Sequence, residues 1–237
     1  FVTTFSSGVT ASMGNLIASE TKERAYEVYK RVDFINYWLY TFTATCLLCL
    51  VEPFVAIWLG QDFVLTKAIL ILAVAIYYFK GINSGIDIAK NAAGLYYPDR
   101  FIPMAEAIAN MVISIVLAKR YGIAGVLFGT LVSFLALSFW AKPYFVCRDV
   151  FEVSFARHAV REGREIVVSV LVAAGTWYAV SLVSLENVLL RFGVKALLAL
   201  ALSNGLLLLV YFKTSEFQYL RGLLESAANR IGKRKKA

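Results

Sequence analysis

Charge is scarce in this chain. Only 17% of its 237 residues are Asp, Glu, Lys or Arg, 59% are hydrophobic, and the mean hydropathy is +0.68. A water-soluble domain carries about 45–50% apolar residues. A soluble globular fold is therefore excluded and an integral membrane protein is expected. Histidine is scarcer still. The single one, His158, has no Cys, Ser or acidic partner set out for catalysis and reads as a surface residue. Three cysteines do not make a disulfide framework. Cys46 and Cys49 sit in an apolar run, where cysteine behaves as a small hydrophobe, and no His lies near them to complete a metal site. No cofactor is expected. The chain starts at Phe1 inside a membrane-like run, without a charged leader region or a cleavage site, so it does not open on a signal peptide. It reads as the C-terminal part of something longer.

What is present is a series of apolar runs. Phe1–Ala18, rich in Ser, Thr, Gly and Ala, reads as the tail of a span. Six complete spans follow: Phe34–Leu59, Phe63–Tyr97, Ile102–Ala118, Ile123–Ala141, Glu165–Ser184 and Val188–Phe212. Ser19–Asp33 is charged and reads as a short amphipathic surface helix with Ser19 or Thr21 as its N-cap. Lys142–Arg164, with arginines alternating with Phe151 and Phe155, reads as a surface loop. Thr214–Ala237 reads as an amphipathic helix ending in Lys233, Arg234, Lys235 and Lys236, a tail attracted to anionic lipids. The net charge of +8 then reflects basic loops on one side of a membrane, not nucleic-acid binding. Counting those loops places the C-terminus in the cytoplasm of a multi-pass protein of the cytoplasmic membrane. The fold class expected is all-α, a polytopic membrane helix bundle.

One span carries a polar stripe. Lys80, Asn83, Ser84, Asp87, Lys90 and Asn91 fall within an arc of about 120° on one helical face. The other face holds Gly81, Gly85 and Ala89, a four-residue repeat that lets another helix approach closely. An ionisable residue this deep in an apolar run costs at least about 2.5 kcal/mol if it faces lipid, so Lys80 is expected to face the bundle interior or a watery cavity. The alternative is that Lys80 pairs with Asp87, or that Asp87 and Lys90 lie at the interface. A second stripe follows at Glu106, Asn110 and Ser114, for which interhelical hydrogen bonding is the competing role. Gly122, Gly125 and Gly129 mark another close-packing edge.

Several strings carry a resemblance: SMGNLIA, KERAYEVYKRVDFINYW, EPFVAIWLG, YYFKGINSGIDIAKNAAGLYYPDRF and AEAIANMVISIVLAKRYGIAGVLFGT. Over most of Phe1–Phe151 the chain resembles the polysaccharide-transport branch of the multidrug/oligosaccharidyl-lipid/polysaccharide flippase superfamily, which includes the O-antigen flippases of lipopolysaccharide assembly. Beyond Phe151 the likeness rests on topology alone. The resemblance implies two six-helix lobes around a central cavity, often with an extra helix pair. On that pattern residues 1–146 are an incomplete second lobe, 147–164 a linker, 165–213 the extra pair and 214–237 a basic tail, and the first lobe is a partner lying outside this chain. It also implies transport of a lipid-linked oligosaccharide, usually on a polyprenyl pyrophosphate, by rocking between inward-open and outward-open states.

Under that expectation Lys80 meets phosphate as a point charge. Asn83, Ser84, Lys90, Asn91, Asn110 and Ser114 contact the substrate, the amides and hydroxyls bonding to sugar. Asp87, Glu106 and Glu52 are the candidates for ion coupling, with Glu52 alternatively an interfacial residue. Three other readings remain open. A drug or cation exporter of the same superfamily wants acidic and aromatic groups in its cavity. A membrane enzyme of polysaccharide assembly wants a nucleophile or acid/base set on a sizeable loop; no HxxxxD, paired acidic motif or large loop is present, so a non-enzyme is expected. A scaffold protein needs no polar stripe inside a span. If the chain is a second lobe, the upstream reading frame encodes about seven further windows of about 20 apolar residues, which sequencing of the gene checks directly.

Overall fold

Helix limits follow from local chemistry. The computed structural model describes residues 2–222, with side chains from residue 10 onward. Helix α1 (Val2–Ser19) is followed by α2 (Lys22–Trp58), whose start is capped by the Thr21 hydroxyl accepting from the Arg24 N–H at 3.4 Å. α2 is one continuous helix of 37 residues. This corrects the expected break between a surface helix at Ser19–Asp33 and a span from Phe34. The reason is packing: Ala25, Tyr26, Tyr29 and Asp33 are buried, so the charged segment has a covered face and continues the same helical stripe.

A short 3-10 turn (Gln61–Phe63) leads to α3 (Lys67–Ala92). α3 runs through Gly81 and Gly85 without interruption and stops at Gly94, which takes φ 66°. The Leu95 N–H then closes onto the Lys90 carbonyl at 3.0 Å, the pattern of a glycine-terminated helix. The helix is therefore shorter than the Phe63–Tyr97 expected, and it ends before Pro98 is reached.

α4 (Ile102–Ala136) has Pro103 in its first turn and folds back on itself at Gly122, where φ 57° and ψ −135° break the helical path. Its two halves lie side by side as the hairpin expected from Ile102–Ala118 and Ile123–Ala141. A Cβ at Gly125 would meet the Leu117 backbone, and one at Gly129 would meet Ser114. After Leu137 come α5 (Ser138–Phe145), a π-helical turn (Val146–Phe151), α6 (Phe155–Ser181) and α7 (Val188–Tyr211). The segment Lys142–Arg164 is thus almost wholly helical and not the loop expected, because Val146, Cys147, Val150 and Phe151 pack against Tyr26 and Tyr29. His158 is 2% exposed and so is a buried residue, not a surface one. Residues 215–222 are helical; the expected basic tail at Lys233–Lys236 lies outside the described residues.

α2 is the axis of the bundle, with α3, α6 and α7 packed along it. The α2–α3 seam is tight. A Cβ on Gly81 would collide with the Tyr40 ring, and one on Gly85 with the Asp33 carboxylate. Asn36 stitches the seam, donating from Nδ2 to the carbonyls of Gly81 (2.8 Å) and Ile82 (3.3 Å). On the other side of α2, hydroxyls do the joining. Thr41 and Ser169 share a bond of 2.7 Å, and Tyr78 donates to Ser169 at 2.8 Å. The Tyr37 hydroxyl donates to the Glu165 carbonyl at 3.1 Å, and Trp38 Nε1 donates to Asn204 Oδ1 at 3.0 Å.

Alongside an apolar core around Phe34, Tyr37 and Phe139, several small polar residues are also buried. In α6 the small polar residues Ser169 and Thr176 are inside, 5% and 0% exposed, while Leu171 is 66% exposed. In α7 Ser203 is 0% and Leu209 80% exposed. Small and polar residues between helices with aliphatic side chains outside is the arrangement that lipid favours. Five helical stretches among the described residues are long and apolar enough to cross a membrane, one of them the Ile102–Phe151 stretch that contains the hairpin. The protein is an all-helical bundle of membrane-protein character. Gly81→Val is expected to destabilise the bundle by about 1–3 kcal/mol, as overpacking of a filled contact does. A lower midpoint in thermal size-exclusion measurements, with no such drop for Gly193→Ala, where a Cβ meets open space, is the check.

Candidate functional site

The polar stripe of α3 faces three neighbours. Its outer turns meet the first half of α4, the Phe134 region at the end of α4, and α5. Phe134, Ser138 and Lys142 are four residues apart, a spacing that keeps side chains on one helical side where the path is regular. Together these elements enclose a small cavity of about 190 Å³ lined by Lys80, Asn83, Asp87, Glu106, Phe134 and Lys142.

Each charged group has a defined setting. Lys142 Nζ pairs with Asp87, 2.9 Å from Oδ1 and 3.1 Å from Oδ2. This answers the alternative in which Lys80 would pair with Asp87: the partner of Asp87 is Lys142. Lys80 has no carboxylate within ion-pair distance among the described residues. Its ammonium lies 5.7 Å from the centre of the Phe134 ring, where the ring face attracts a cation. Glu106 accepts a short hydrogen bond from the Ser138 hydroxyl. Asn83 is 2% exposed and donates to the Phe139 carbonyl at 3.2 Å, while its Oδ1 is buried without a hydrogen-bond partner. The cavity therefore presents two ammonium groups and two carboxylates, with the unpartnered Asn83 amide oxygen buried in its wall.

Of the ten residues singled out from sequence, four line this cavity: Lys80, Asn83, Asp87 and Glu106. The others are engaged elsewhere. Ser84 donates to the Gly81 carbonyl (2.7 Å) and to Asn36 Oδ1 (3.3 Å), so it belongs to the α2–α3 seam. Lys90 forms an ion pair with Asp99 and tethers the loop after α3, and Asn91 is exposed beside it. Asn110 and Ser114 serve the hairpin. Ser114 donates to Asn110 Oδ1 at 2.8 Å and to the Val126 carbonyl at 3.3 Å, and Thr130 donates to Asn110 at 3.3 Å. Glu52 is in the last third of α2, in a separate cleft of about 530 Å³ with Lys67, Arg191 and Lys195.

Lys142 was hidden because its segment reads as a loop; the four-residue spacing from Phe134 was the available signal. Also missed was a buried polar face on α6, formed by His158, Glu162, Glu165, Ser169 and Thr176. Their spacings of four, three, four and seven residues repeat every seven, a helical period legible once the segment is known to be helical.

No family model, no curated protein and no solved structure matches this chain. The fold defines a class only: a helical bundle rich in long apolar helices, with a small charged cavity. The Asp87–Lys142 pair is partly open to solvent, so its contribution is modest, roughly 0.5–1 kcal/mol. In a double-mutant cycle of Asp87→Asn and Lys142→Met, the combined loss of stability is expected to be smaller than the sum of the single losses by about that amount. Thermal unfolding of the four proteins in one detergent measures it.

Proposed function

We propose that the chain is the second lobe and extra helix pair of a flippase. On this reading it carries a polyprenyl-pyrophosphate-linked oligosaccharide from the cytoplasmic to the outer leaflet of the cytoplasmic membrane by alternating access, for surface polysaccharide assembly. The observation that supports it most directly is Lys80, an ammonium at a cavity on the polar stripe of a largely apolar helix, without a carboxylate within ion-pair distance among the described residues. A cation kept at such a site at the expense noted for intramembrane charge has a function other than folding. A diphosphate is the anion that a point charge of this kind meets well. Lys142 adds a second ammonium once its hold on Asp87 is exchanged for the ligand. Asn83 offers an amide oxygen to a hydroxyl. Asp87 and Glu106 are the groups in this reading that take up the coupling ion, and the N-terminal lobe closes the far side of the cavity. The basic tail meets anionic lipid headgroups, with the C-terminus in the cytoplasm.

A second reading has one specific observation in its favour. The cavity holds as many carboxylates as ammonium groups, together with the Phe134 ring, and an exporter of organic cations uses such groups. The two readings separate in cells. The gene for the full-length protein is deleted and then restored as wild type or as Lys80→Ala at equal protein level, in a strain without a redundant transporter. Loss of surface polysaccharide on deletion, with lipid-linked intermediates accumulating and no rescue by Lys80→Ala, is expected for the flippase. Unchanged polysaccharide with raised sensitivity to cationic drugs supports the exporter instead.

A further inference from the structure

A second charged cluster lies between α2 and the first three turns of α6. Asp33 from α2 forms an ion pair with Arg161. Around that pair are His158, Glu162 and Glu165, which are 2%, 7% and 6% exposed. Three buried carboxyls thus share one buried guanidinium. If all three were ionised and His158 neutral, the interior would be two positive charges short of balance, and an unpaired buried carboxylate is strongly disfavoured. Arg157 and Arg164 are exposed and face water as well as the cluster.

The hydrogen-bond pattern points the same way. His158 Nε2 lies 3.2 Å from Glu162 Oε2, yet both atoms are buried and neither has a partner in hydrogen-bond geometry; His158 Nδ1 is buried and unpartnered too. Two such atoms side by side, each an acceptor when deprotonated, are what a shared proton would join. Among the described residues no group of His, Cys, Asp and Glu is arranged to hold a metal ion.

Beyond Arg161, the cations near the cluster are the exposed Arg164, which acts on Glu165, and the exposed Arg157, which acts on Tyr26. α2 contributes Tyr26 and Tyr29, with the Tyr29 ring 6.4 Å from that of His158, and the π-helical turn contributes Cys147. Tyr37, Tyr78 and Tyr211, from α2, α3 and α7, lie on the Glu165 side, and α3 meets Asp33 with Gly85.

We propose that His158, Glu162 and Glu165 form a proton-binding site. It holds at least one proton among these side chains, in contact with the Asp33–Arg161 pair. Binding adds one O–H bond to a carboxylate and changes no other bond. The site is separate from the Lys80 cavity and does not depend on what that cavity carries. Its protonation state sets the charge between α2 and α6, so a proton gained or lost there bears on how those helices dock.

The test uses the full-length protein in lipid nanodiscs and infrared difference spectra between wild type and the variants Glu162→Gln, Glu165→Gln and the double substitution. Glutamine has the shape of a protonated glutamate, so folding is expected to survive, and circular dichroism verifies it. The expected result is a protonated-carboxyl band in the wild type at neutral pH that is lost in the double variant and in one of the single ones. Absence of that band from the folded wild type, or its full persistence in the double variant, overturns the proposal.

Discussion

Everything in this bundle depends on how closely α2 and α3 approach. Gly81 admits the Tyr40 ring and Gly85 admits the Asp33 carboxylate, so the seam has no room to spare. Because the helices meet on that face, Lys80, Asn83 and Asp87 of the polar stripe are turned away from α2 and toward the α4–α5 side, while Ser84 stays in the seam. The same approach leaves Asp33 between α3 and α6, where Arg161 meets it. Two sites of different chemistry therefore arise from one contact. The smooth face of α3 sets where Lys80 and Asp87 point, and the helix that fills the smooth face brings the carboxylate around which the α6 cluster assembles.

The helical class and most helix limits were legible because the apolar runs are long and glycines punctuate them. Gly122 and Gly94 mark the fold-back and the helix end by their positive φ, a conformation that costs glycine little. The failures have a common cause. Ser19–Asp33 and Lys142–Arg164 are charged, and charge in a short segment reads as exposure. In both cases the charged residues sit on a helix whose other side carries Tyr26, Tyr29, Val150 and Phe151, and the aromatic contact between those segments decides the matter. Long-range pairing of this kind has no local signature.

The charged cavity was legible in part. Lys80, Asn83 and Asp87 follow from the helical period, and Glu106 from its own stripe. Lys142 required knowing that the chain after Ala136 stays helical and returns beside α3. Asn110 and Ser114 carried two readings, cavity lining and interhelical hydrogen bonding, because period alone cannot tell a face that lines a void from one that meets another helix. In the structure their hydrogen bonds are spent within the hairpin, across the glycines that let its halves touch.

The two sides of α2 are joined by different kinds of contact. Against α3 an aromatic ring is seated over a glycine, and a shift along the axis meets steric resistance at once. Against α6 and α7 the contacts among Tyr37, Thr41, Tyr78, Ser169 and Tyr211 are hydroxyl to hydroxyl. A hydroxyl is both donor and acceptor and rotates freely about its C–O bond, so each can exchange one partner for another as the helices slide by a fraction of an ångström. One flank of α2 is held by steric fit at two glycines, and the other by exchangeable hydroxyl contacts together with the Asp33–Arg161 ion pair.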